Sequence, residues 1–376
     1  MTMIVKAADA AQFLSLVPRM LGYAPRRSLV IIPFAGKRSL GAMRVDLPSD
    51  PDTRDAAAAT FIGMVCRIPS ADALTAVVYS DDRFEGGDPP EEALARGILR
   101  SADACGLRVA DALCVAADGW ASYLDKTRPA RARPLTALSL PPAEAVGLPA
   151  PAGDQWSGAE LPHADLAEKE RVAHALRSLG DAFDLLCGPE SERSEHERRI
   201  DPAALAAVCD LDDLPSLFED ALEWDPGALE PYEAAALVWC LARPALRDIA
   251  LVQWCGDHDD GEEAFAAQLR WEEGEEYPAH LAMHMWGEGA QPDADRLDRA
   301  LELSRRAAAV APKSVRAGAL ATCAWLSWAR GRSTHADQYA QRACELEPEH
   351  GLAEIVRSFV LAGHLPDWVF RRGEGG

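Results

Sequence analysis

The chain contains no apolar run near the roughly 18 residues that a membrane-spanning helix requires. Its start, Met1-Thr2-Met3-Ile4-Val5-Lys6, lacks a basic region followed by an apolar core and a small-residue cleavage site. A cytoplasmic protein with no membrane partner is therefore expected. Cys-x-x-Cys pairs are missing too: Cys66, Cys105, Cys114, Cys187, Cys209, Cys240, Cys255, Cys323 and Cys344 are scattered, mostly inside apolar segments, which reads as reduced packing residues. Positive charge is scarce. At a formal net charge of −22 general affinity for nucleic acid backbones is not expected, because each phosphate contact needs a cation. Gly-x-Ser-x-Gly, Gly-x-Gly-x-x-Gly and a His-x-Glu with Pro-Cys-x-x-Cys are all absent. Gly36-Lys37 is no P-loop, since Arg38 replaces Ser or Thr and a strand follows where a helix is required.

What is present suffices for two domains with cores of their own: 376 residues, 48% of them hydrophobic and 26% charged. Asp9 caps a helix with Phe13, Leu14, Val17 and Leu21 at helical spacing, ended by Gly22. Leu29–Ile32 is a continuous apolar run, the pattern of a strand covered on both faces. After the turn Ala35-Gly36-Lys37-Arg38, Met43, Val45 and Leu47 alternate with Arg44 and Asp46, which are expected to share an exposed face. Continuing to Tyr123, the order reads α-β-β-α-β-α-β-β, with helix-linked strands parallel and hairpins antiparallel.

The run Leu21-Gly22-Tyr23-x-Pro25-x-x-Ser28-Leu29-Val30, with Arg44-Val45-Asp46-Leu47-Pro48, resembles the opening of the bacterial family called domain of unknown function 4192. The resemblance continues through Trp120–Tyr123, Arg247-Asp248 and the helical tail. It implies an architecture and carries no activity. It also implies a Cys-containing turn after Tyr123, where this chain has Leu124-Asp125-Lys126-Thr127.

The expected fold class is α/β plus all-α. A mixed-sheet domain spans residues 1–124, a Pro-rich linker or strap 125–163, and a helical domain 164–376, with a charged patch at 190–199. Ala317, Leu320, Ala321, Ala324, Trp325 and Trp328 form one helical stripe, Ala336, Tyr339, Ala340, Ala343 and Cys344 a second, and Leu352, Ile355, Val356, Phe359 and Val360 a third. An Ala-x-x-apolar-x-Pro ending at Pro312 returns at Pro348, 36 residues on. That is close to the tetratricopeptide period of about 34, so tetratricopeptide-like hairpins are expected over about 293–363.

Three groups of residues invite chemistry. Cys255-x-x-His258 with His280-x-x-x-His284 has ligand types for tetrahedral zinc, although Leu281 stands where a zincin has Glu; packed or surface roles weigh ahead of it, and no cofactor is otherwise expected. The nine acids against one base over 256–276 read as a solvated helix face, not a calcium loop. Tyr23, Arg26, Arg27, Arg44 and Asp46 surround the opening hairpin, where the first fifty residues carry seven basic and three acidic side chains; an anion clamp or a satisfied cross-strand network would both fit. The leading expectation is a non-catalytic interaction or adaptor protein holding a protein or peptide on its helical domain. The alternatives are an enzyme or small-ligand sensor built on the anion site, and a zinc-stabilised helical domain.

Overall fold

The computed structural model describes residues 6–125, 132–139, 145, 150–188 and 200–371; the expected charged patch at 190–199 and the turn residues Lys126 and Thr127 lie outside them. The chain divides into two compact units, Met1–Ser157 and Gly158–Gly376. The first is a mixed α/β domain and the second is helical.

In the first unit α1 (Ala10–Leu21) leads to β1 (Ser28–Ala35), β2 (Arg38–Ser39) and β3 (Met43–Asp46). Then come α2 (Arg54–Cys66), β4 (Ala73–Tyr79), α3 (Glu92–Ala104), β5 (Arg108–Ala116) and β6 (Gly119–Ser122). Asp9 caps α1 through the Gln12 amide, and Gly22 closes it in the left-handed region at φ 83°. The sheet runs β2-β1-β4-β5-β6, with β3 also paired to β1. β4 lies antiparallel to β1 and parallel to β5, so the apolar β1 is an inner strand. Side-chain alternation sorts its residues: Leu29 and Ile31 pack with Ile62, Leu94 and Ile98 of α2 and α3, whereas Val30 and Ile32 pack with Leu14 and Val17 of α1. Both faces are thus covered, which accounts for the unbroken hydrophobic run.

The expected linker is shared between the units. Ala152 donates to the Gly22 carbonyl (3.0 Å) and Ala24 to that of Gly153 (3.0 Å), which straps this stretch onto the first unit. Further on, Glu160 and His163 offer their carbonyls to Arg305 (2.5 Å) and Arg306 (3.0 Å) of the second.

The helical unit comprises α4 (Leu166–Cys187), α5 (Pro202–Asp210), α6 (Leu214–Ala221), α7 (Pro231–Leu241), α8 (Pro244–Cys255) and α9 (His258–Glu272). It continues with α10 (Ala279–Met285), α11 (Ala294–Val310), α12 (Arg316–Ala329), α13 (Ser333–Leu346) and α14 (Gly351–Leu361). Asp165 starts α4 with a reciprocal capping box to Glu168. At the centre is α12, whose residues Ala317–Ala329 are all buried, so the expected single stripe is in fact a helix covered all round by α7, α8, α11, α13 and α14. Its abundance of Ala, with Gly318, lets those neighbours come close. Three buried indoles of this unit keep their N–H groups bonded: Trp254 to Phe218 O (3.2 Å), Trp325 to Met285 O (3.1 Å) and Trp328 to His364 O (2.8 Å). Among the described residues no helix is long and apolar enough to cross a membrane.

Candidate functional site

The hairpin residues do assemble in part, with a correction. Arg44 is not on an exposed face: its side chain is only 6% accessible. The β3 register sets Arg44 opposite Val30 and Asp46 opposite Ser28, and Val30 belongs to the face that α1 covers. There Arg44 donates from Nε to Ser28 Oγ (2.7 Å) and from its two Nη atoms to Asp46 (2.5 and 3.2 Å), a forked, charge-assisted pair. Tyr23 lies within their field. Burial raises its hydroxyl pKa, with Arg44 opposing and Asp46 adding to that shift. Arg26 is bracketed through its backbone by Gln155 (3.0 and 2.8 Å), and its guanidinium reaches Asp81 at 3.3 Å. Arg27 serves the backbone, at φ 44° with its carbonyl accepting from Leu47.

A second cluster in this domain escaped the sequence reading. Arg54 at the start of α2 meets Glu91 at the start of α3 in a two-point ion pair of 2.7 and 2.8 Å, while Glu91 sits at φ 62°, unfavourable for a side-chain-bearing residue. Below it Tyr123 donates to the Pro90 carbonyl (2.6 Å), and burial pushes the Cys114 thiol up to about 12. Opposite charges here satisfy each other and tie two helix starts together.

The zinc set does not converge. Among the described residues, the group of three or more potential ligands within 4.8 Å of one another is His258, Asp259 and Glu262, and two of these are exposed. Cys255 is a buried thiol whose pKa burial raises, and His280 pairs with Glu263 at 2.9 Å. His284 is half-buried, and burial lowers its pKa. Helical spacing does place His280 and His284 one turn apart on α10, but the Glu263 carboxylate of α9 engages the first, and the Cys255 side chain is turned into the core. Asp257 and Asp260 form the capping box that starts α9, which accounts for part of the acidic run.

A further concavity lies in the helical unit. A groove of about 660 Å³ is lined by Arg247, Asp248 and Val252 of α8, Gln268 and Trp271 of α9, Tyr277, Leu281 and Met285 around α10, Trp286, and Glu347, Glu349, His350, Leu352 and Ile355 around α14. Its walls are mainly apolar, yet large side chains there remain in water: Trp271 is 55% accessible, Trp286 53% and Ile355 39%. Ile355, expected to point inward with the third stripe, instead faces this opening. Such a grouping of large exposed apolar side chains in one depression is what a binding surface requires. The floor is polar. Arg247, 6% accessible, donates from Nε and Nη2 to Asp248 (2.9 and 2.8 Å). Both contacts fall on Oδ1, and among the described residues Oδ2 accepts no hydrogen bond. Burial raises the Asp248 pKa, opposed by Arg247. Burial also lowers that of His350, helped by Arg247, so its imidazole is neutral at pH 7. In the sequence, only the Arg247-Asp248 pair hinted at this place.

Comparison with known proteins finds no match among curated proteins and none among solved structures. A family model does match, over residues 11–304, which takes in the sheet, its helices and the helical unit as far as α11. With more than half its length covered, the chain belongs to the family described as domain of unknown function (DUF4192).

Proposed function

We propose that this is a cytoplasmic, non-catalytic interaction protein that receives a segment of a partner protein in the groove between α8, α9, α10 and α14. The observation that carries the reading is the groove itself: about 660 Å³ of mainly apolar concavity with two tryptophans more than half exposed at its walls. Aromatic anchors in a depression are the usual centre of a protein-binding surface. The repeated Ala-x-x-apolar-x-Pro endings at Pro312 and Pro348, together with the sequential packing of α11 to α14, support tetratricopeptide-like hairpins in the tail. Stacked hairpins of that type offer concave surfaces to peptides, and α14 forms one wall of the groove.

The alternative, an anion or substrate site at Tyr23, Arg26, Arg27, Arg44 and Asp46, has weaker support, because Arg44 already spends its guanidinium on Ser28 and Asp46. A displayed library of random peptides, panned against the full chain, tests the proposal. Recovered peptides are expected to lose binding to Trp271→Ala and Trp286→Ala variants that keep the wild-type circular dichroism spectrum. A panel of peptides that binds wild type and variants equally would remove the groove as the docking place.

A further inference from the structure

Resting on that reading, we infer that the segment received by the groove is basic and amphipathic, with an Arg or Lys side chain entering among Trp271, Tyr277 and Trp286 to meet Asp248. The charges of the lining argue for it. Asp248, Glu347 and Glu349 are its carboxylates, Arg247 is its sole Lys or Arg, and Arg247 is already paired to Asp248. Glu347 and Glu349 are exposed, and no ion pair engages either among the described residues. The neutral His350 adds no compensating cation. The lining is therefore net negative around aromatic walls.

Chemistry narrows the occupant further. Among the described residues Asp248 Oδ2 accepts no hydrogen bond, and the carboxyl is partly withdrawn from water, a situation that an incoming ammonium or guanidinium relieves. Tryptophan and tyrosine faces attract such cations, most strongly where water is reduced. Apolar residues flanking the cation would cover Leu281, Met285, Leu352 and Ile355. An acidic segment would instead meet three carboxylates and find Arg247 occupied. A second copy of this chain is a poor occupant on charge, at −22 overall.

Two short amphipathic peptides with identical leucine spacing, one bearing Lys and the other Glu at every polar position, are titrated against the full chain by fluorescence anisotropy. The Lys peptide is expected to bind, more weakly as salt rises, and the Glu peptide not to bind. Exchanging Glu347→Gln and Glu349→Gln together is expected to weaken the Lys peptide about threefold to tenfold. The control exchange, Asp210→Asn with Asp212→Asn, removes the same charge outside the groove and is expected to leave affinity unchanged. Equal binding of the two peptides, or equal weakening by both exchanges, overturns the inference. So does concentration-dependent self-association of the chain abolished by Trp271→Ala, since a second copy would then be the occupant. If the display library yields Trp271-dependent peptides that are not basic, this inference fails while the docking reading stands; if it yields none that depend on Trp271, the docking reading itself fails.

Discussion

Replacing Gly318 with Ala separates what a local rule expects from what the packing imposes. Gly318 is the third residue of α12, and in a helix Ala is better than Gly by up to about 1 kcal/mol. Sequence reasoning therefore expects a more stable protein. In the structure a Cβ at this position would stand 2.1 Å from the Leu241 carbonyl oxygen and 2.8 Å from Ala242 Cα, where ordinary contact begins at 3.4 Å. These are backbone atoms at the end of α7, which cannot rotate aside. α12 and α7 would have to part by more than an ångström, disturbing a helix buried on every side. Overpacking costs roughly 1–3 kcal/mol, and against backbone atoms that cannot move aside the upper part of that range, about 2–3 kcal/mol, applies; less the propensity gain, a net loss of about 1–2 kcal/mol is expected. For a domain of this size that lowers Tm by roughly 2–8 °C. Gly63→Ala is the matched control. Gly63 is an exposed interior residue of α2 with no atom within 4 Å of the added carbon, so the same exchange should stabilise by about 0.5–1 kcal/mol. Amide hydrogen exchange, read separately in α12 and α2, measures both in the intact chain. A Gly318→Ala protein at least as stable as wild type would refute the packing argument.

Two further outcomes follow from the titrating groups. Hydrogen bonds from Arg296 hold the Glu219 carboxyl at about 2 against an ordinary 4.5, so the unfolded chain binds more protons in between. The stabilisation is complete above about 4.5 and fades as pH falls towards 2. For a carboxylate with 37% side-chain exposure, about 1–2 kcal/mol remains after solvent screening. Urea midpoints should thus differ between wild type and Glu219→Gln at pH 6, and the gap should narrow steadily between pH 4.5 and pH 2; a gap independent of pH would contradict the pairing. In the native protein at pH 8, Cys66, Cys105, Cys187 and Cys209 are exposed and should be open to a thiol reagent, whereas Cys114, Cys240, Cys255 and Cys323 are buried and should react only on denaturation. Burial pushes Cys240 up to about 12, which adds a chemical barrier to the steric one. Rapid native labelling of Cys240 would show that α7 opens far more readily than its packing implies.

Short-range chemistry along the chain was enough for the elements themselves. Asp9 and Gly22 bound α1 because caps act within one turn, and Leu29–Ile32 reads as a doubly covered strand because two-residue alternation is absent there. The passage to an all-helical second half follows from the same local periodicities, as does the α-β-β-α-β-α-β-β order but for one strand: the expected turn at Arg38 pairs back on β1 as the two-residue β2, so three strands and not two separate α1 from α2. Arg44 shows where that ends. Alternation puts it opposite Met43 and Val45, but its burial comes with the face it shares with Val30, which packs with Leu14 and Val17 of α1. Likewise α12 has the composition of a buried helix in its Ala and Trp content, yet complete enclosure needed α7, α8, α11, α13 and α14 to arrive from separate parts of the chain. Cys255, His258, His280 and His284 do not come together for the same reason, since shared spacing on one helix says nothing about what α9 offers to His280.

What the sequence by itself determined, then, were segments, caps, the acidic balance and the family. Only the tertiary structure decided which polar groups are spent on one another and which face water. Arg247 and Asp248 adjoin in sequence, but Trp271, Trp286 and Ile355 come to the same groove from different helices. Side-chain period and capping are settled over three or four residues, whereas a concave surface is defined by contacts between residues far apart in the chain, and no short window of sequence contains it.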